Sequence, residues 1–274
     1  MLRAIGRNTV LVGAIAAGAT VSGMAGPLLM SPRGAFGPGV LQADSLVWAL
    51  AGVVISLLVS TAAAIVVGRV CNTVVGLFAL GGGIFGLAWR METIRAVTFH
   101  GSLAQVAVET FLWSLVVAGA AWIVFRFSGP LDDVAPTESG RVPHPIMSVE
   151  ALRSVAAGLL ALPVIWVCAR SPDKGQMIGA VFCGGMVAGL AGRLLSPHVQ
   201  PILIFAAPIL FGAIAHAAAA ATSDHPLREA YVQEAISPLN LPMPIDYACG
   251  SLLGVAVGVG WARSFLHHEE EAPA

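Results

Sequence analysis

Apolar residues run in long blocks along this chain, separated by short polar breaks. Eight blocks stand out, at about residues 8–30, 44–68, 71–90, 102–126, 150–169, 175–195, 201–222 and 246–266. Most reach the roughly 20 residues that an α-helix needs to cross a hydrocarbon core of about 30 Å. They are too long for barrel strands, and hydrocarbon offers no partner to an unpaired backbone amide, so the pattern predicts helices. The expected fold is all-α: a polytopic transmembrane bundle of about eight helices forming one integral membrane domain over 1–274.

The polar breaks carry less structure. Residues 127–149 hold Pro, Asp, Glu and Ser and read as a flexible polar linker between two halves. Residues 223–245 open with an amphipathic stretch over 226–236, in which Leu227, Tyr231 and Ile236 share a side. That stretch suits either a membrane-surface helix or a solvated loop. Residues 267–274, HHEEEAPA, form an acidic tail expected to be disordered. His267 and His268 have no further ligands beside them, so no metal is expected there. Residues 1–25 have two readings, a signal peptide or a retained first helix. The apolar stretch continues to Met30, which favours the helix.

Composition strengthens the membrane reading. Hydrophobic residues make up 57% and charged residues 11%, against about 25% charged in an average soluble domain. Mean hydropathy is +0.84. The net charge of −1 supplies no field for nucleic acid, so the expected surroundings are the lipid bilayer and a copy of the chain or a membrane partner subunit. With 13 Arg and one Lys among 14 basic residues, a bacterial inner membrane is the expected home. Counting Lys and Arg on alternate sides places the N-terminus in the cytoplasm. The four cysteines show no ligand spacing and read as free packing residues.

A repeat lies within the pattern. LFALGGGIFGLAWR at 77–90 is echoed by AVFCGGMVAGLAGR at 180–193, at an offset of 103 residues. The offset lays the second, third and fourth blocks on the fifth, sixth and seventh, over about 44–126 and 150–222. A unit of three helices turns its second copy upside down, giving an inverted pair of the kind common in secondary transporters. Within it, Gly82 and Gly86, and their echoes Gly185 and Gly189, place small residues four apart for close helix packing. The eighth block carries Gly250, Gly254 and Gly258 in the same spacing. Arg90 and Arg193 end their helices and are expected to snorkel to the headgroups as interfacial anchors.

Few residues offer chemistry. An ionisable group inside a membrane helix is expensive and is by default a functional candidate. Glu109 lies about two turns into its block with Gln105 one turn before it, and His216 sits within the seventh block. In the repeat frame Glu109 and His216 fall one turn apart on equivalent helices, so they are candidate proton-handling partners with Gln105 beside them. No phosphate-binding loop, nucleophile elbow or metal motif is present, so neither an enzyme nor a cofactor is expected. The leading expectation is a small-solute or ion transporter, proton-coupled through Glu109 and His216. The alternative is a non-catalytic membrane subunit or scaffold whose glycine ridges pack against partners.

Overall fold

The computed structural model describes residues 2–134, 143–222 and 226–270. Residues 135–142 of the linker, 223–225, 271–274 of the tail, and the side chains of His267 and His268 lie outside the described residues. The chain is an all-α polytopic bundle. Its helices are α1 (Leu2–Ala25), α2 (Leu46–Val70), α3 (Thr73–Ala88), α4 (Ile94–His100), α5 (Leu103–Ser128), α6 (Val149–Ala157), α7 (Ala161–Cys168), α8 (Lys174–Leu195), α9 (Ala207–Thr222), α10 (Leu227–Val232) and α11 (Pro244–Glu270).

Seven stretches are long and apolar enough to cross a membrane: Ile5–Leu29, Leu46–Val70, Leu103–Ser128, Val149–Cys168, Lys174–Leu195, Leu203–Thr222 and Pro244–Leu266. The block expected at 71–90 is shorter than the pattern suggests. It forms α3, only 16 residues, about 24 Å long at 1.5 Å per residue. Asn72 caps its start by accepting from the Val75 amide at 2.9 Å, and a turn at Trp89 and Arg90 ends it. Being shorter than the hydrocarbon core costs α3 little, because α1, α2 and α11 wrap it and most of its residues are buried. The span Val149–Cys168 is also interrupted, by a 3-10 turn at Gly158–Leu160. Pro163 cannot donate to the carbonyl four residues back, so the helix loosens there.

The two ends of the bundle are distinguishable. One face carries the start of α1, linker residues 129–134 and 143–148, and the 196–202 turn. The opposite face carries the 30–45 loop, α4, the 169–173 turn and α10. Five tryptophans are exposed at helix ends: Trp48, Trp89 and Trp166 toward the opposite face, and Trp122 and Trp261 toward the N-terminal face. These are the positions where amphipathic rings settle at a lipid–water boundary.

The amphipathic stretch at 226–236 is held on protein rather than lying flat on lipid. Leu227, Tyr231 and Ile236 pack over a buried cluster of Ile94, Val97, Val106 and Met243. The first part of the linker is likewise tied down. Leu131 and Gln200 exchange two hydrogen bonds, and Thr73 donates to the Gly129 carbonyl at 2.6 Å. The α11 backbone continues through Glu270, so residues 267–270 of the tail expected to be disordered are helical.

The glycine ridges lie inside the bundle. A side chain at Gly82 would meet Ile15, and one at Gly86 would collide with the Ala19 carbonyl, so both accept α1. Gly185 and Gly189 accept α11 at Ser251 and Val255. Gly250, Gly254 and Gly258 accept α8 at Val181, Phe182 and Met186 in return. The α8–α11 contact is thus glycine on both sides, and it is the largest helix–helix contact in the molecule.

Candidate functional site

The 26–45 segment is the structural surprise. After α1 a 3-10 turn at Gly26–Leu29 leads into a loop that folds back into the bundle rather than running over it. Gly37 donates to the Leu29 carbonyl at 2.8 Å, Asp44 to Met30 at 2.8 Å, and Glu92 to Gly37 at 3.1 Å. Residues 37–40 are buried.

Glu109 is what the loop closes on. Its side chain is buried in α5, and its two oxygens accept from the Val40 and Leu41 amides at 2.8 and 3.0 Å. The Trp113 side chain, one helical turn on, lies near enough to add to the same carboxylate. Gly39 completes the clasp, since a Cβ there would run into the carboxylate. When the carboxylate is ionised, its hydrogen bonds from two adjacent amides are charge-assisted, roughly twice as strong as neutral ones.

His216 lies nearby but makes different contacts. Its Nδ1 is 3.3 Å from the hydroxyl of Thr110, the residue after Glu109. Its ring meets Tyr247 edge-on with centroids 5.6 Å apart. The same Thr110 hydroxyl is 2.7 Å from the Val106 carbonyl, so its one proton serves either that carbonyl or the imidazole. The main chain at Asn240 and Pro242 lies beside the ring, yet Nε2 has no partner of good hydrogen-bonding geometry. Glu109 and His216 are therefore not hydrogen-bonded to each other, although Thr110, the next residue of α5, contacts His216 of α9. The carboxylate goes to the loop and the imidazole to Thr110.

Gln105 has a local task. Ser102 accepts from the Gln105 amide and the Gln105 side chain accepts from the Ser102 amide, each at 3.2 Å. This reciprocal pair satisfies two of the amides that a helix start leaves open.

The two arginines part company. Arg90 is exposed, its guanidinium 5.1 Å from the centre of the Phe36 ring. Arg193 does not snorkel. It is 1% exposed and donates to the carbonyls of Pro197 at 2.7 Å, Val199 at 3.3 Å and Asp133 at 2.9 Å. The Asp133 carboxylate stands 3.6 Å away. The linker folds over the end of α8, so the guanidinium finds carbonyls there instead of headgroups.

One ion pair was not singled out from the sequence. Lys174 reaches both Asp246 oxygens, at 3.0 and 3.1 Å, and the Glu92 carbonyl at 3.0 Å. It joins the starts of α8 and α11 to the turn after α3. Models of known protein families, curated proteins and solved structures, each searched with this chain, return no match.

Proposed function

We propose that the protein is a small-solute or ion transporter of a bacterial inner membrane, with its N-terminus in the cytoplasm, in which Glu109 is a proton-sensitive latch on the 37–41 loop. The observation that carries this reading is the buried carboxylate held by the Val40 and Leu41 amides of a loop that plugs one end of the bundle. An ionised carboxylate holds both amides. A protonated one is a weaker acceptor, so proton uptake loosens the loop. Cavities support the same reading. One of about 410 Å³ is walled partly by this loop on its face, and one of about 270 Å³ opens on the N-terminal face between α1, α3 and α11. The glycine-rich α3 runs between those two ends.

The packing also supports the three-helix repeat. Gly82 and Gly86 of α3 accept α1, and their equivalents Gly185 and Gly189 of α8 accept α11. The last helices of the two units, α5 and α9, pack on each other. The scaffold alternative drew on these ridges as partner surfaces, and all seven glycines are occupied by the chain's own helices.

Uptake into proteoliposomes, screened over small ions and solutes with and without a pH gradient, tests the proposal. At least one uptake is expected to depend on the gradient and to fall more than tenfold in Glu109→Gln at unchanged insertion. No gradient-dependent uptake by the wild type, or full uptake by the variant, would sink it. The latch has its own readout. Glu109→Gln leaves one acceptor oxygen, so one amide loses its charge-assisted bond, worth about 1.5–3 kcal/mol, and the other keeps only a neutral one; amide exchange over residues 37–41 should speed up at least tenfold. Gly39→Ala, which keeps the carboxylate but forces the loop off it, should do the same.

A further inference from the structure

The face that carries the 30–45 loop also carries an arrangement of arginines on phenylalanines. The Arg33 guanidinium lies 4.5 Å from the centre of the Phe99 ring, and Arg228 lies 5.8 Å from the same ring. Arg90 stands over Phe36 at 5.1 Å. Arg33, Arg95, Phe36 and Phe99 line the 410 Å³ cavity together with Gln42 and Glu92. Among the described residues, ion pairs within 4.0 Å involve only Lys174 with Asp246 and Arg193 with Asp133. None of Arg33, Arg90, Arg95 and Arg228 makes an ion pair within 4.0 Å with another described residue, and Glu92 is the carboxylate that lines the cavity with Arg33 and Arg95. Two guanidiniums face one carboxylate inside the cavity, and two more stand at its rim.

Stacking on an aromatic ring holds a guanidinium by one face and leaves its N–H edge directed outward. That edge matches two oxygens of a phosphate, which accept paired hydrogen bonds. The ring Phe99 is itself 44% exposed and gives an apolar floor beside the charged edge. The cavity belongs to the face bounded by Trp48, Trp89 and Trp166, so it sits at headgroup depth, where basic pockets take lipid phosphates.

We infer that the Arg33–Arg95 cavity is a binding site for a phosphate group, presented either by a lipid headgroup of that leaflet or by a soluble phosphate compound. The site stands on its own geometry and does not depend on transport. Glu92 tempers it by repelling the anion, so its removal tightens binding. Arg170, on the same face, stacks on Trp166 at 5.4 Å outside the cavity, and it serves as the control cation.

The test uses the full chain in detergent. Short-chain phosphatidylglycerol, a phosphate-free glycolipid of the same chain length and inorganic phosphate are titrated separately. Phosphatidylglycerol or phosphate should bind, weakening at least tenfold in R33Q/R95Q, staying within twofold in R170Q and tightening about threefold in E92Q. Saturable binding of inorganic phosphate alone identifies a soluble phosphate compound as the source. Phosphatidylglycerol binding that excess phosphate does not displace identifies the headgroup. Three results overturn the inference: neither probe binds, the glycolipid binds as well as phosphatidylglycerol, or R33Q/R95Q and R170Q behave alike.

Discussion

Replacing Gly254 with Leu lowers the stability of the solubilised protein by at least about 3 kcal/mol, at the upper end of what overpacking costs. The reason is what the new side chain meets. Its Cβ would collide with the Phe182 carbonyl oxygen and come within 2.9 Å of the Met186 amide nitrogen. These are backbone atoms of α8, and no rotamer change moves them. Lipid offers no hydrophobic incentive for helices to stay together, so contact at this distance is what joins α8 to α11. Pushing the helices apart also weakens the contacts at Gly185, Gly189, Gly250 and Gly258, which share the seam. Gly260→Leu is the matched control. It lies on the same helix with nothing within 4 Å of the added carbon, and should stay within about 0.5 kcal/mol of the wild type. Thermal unfolding followed by size exclusion in mild detergent separates the two variants. A Gly254→Leu protein that melts like the wild type would mean the seam is plastic.

The helices were legible because a bilayer permits almost nothing else. A long apolar block must satisfy its amides internally, so composition and block length were enough to place them. The length of α3 was not legible in the same way, because Trp89 and Arg90 extend the block's apparent run while the chain turns at them. Glu109 was legible as a candidate because a carboxylate among apolar residues has no cheap explanation. Its partners were hidden, since an amide has no side-chain signature and Val40 and Leu41 look like ordinary apolar residues. The one available sign was the sequence Gly37-Pro38-Gly39, where a missing Cβ at 39 leaves room for the carboxylate. Aligning Arg193 with Arg90 suggested a shared role, but only one of the two has a linker folded over it. The Arg33–Phe99 arrangement joins the 30–45 loop to α4, and local pattern says nothing about which loop and helix meet.

Lys174→Met is expected to cost about 3–5 kcal/mol, the range for stripping one partner from a buried ion pair. Asp246 is 1% exposed and Lys174 12% exposed. Without the ammonium, the Asp246 carboxylate keeps only the Met243 amide at 2.9 Å. The loss also frees the Glu92 carbonyl, so the turn after α3 loosens from the starts of α8 and α11. A double variant distinguishes pairing from packing. Asp246→Asn retains the acceptor that Met243 needs and removes the stranded charge, so Lys174→Met with Asp246→Asn should recover more than half of the lost stability. Measured in one detergent by denaturant unfolding, the double-mutant cycle should give a coupling of at least about 1.5 kcal/mol, within the range for residues in direct contact. A loss below about 1 kcal/mol in Lys174→Met alone would put the pair among exposed surface bridges. Water would then reach Asp246 from the loop face, and the starts of α8 and α11 would be held by the glycine seam rather than by charge.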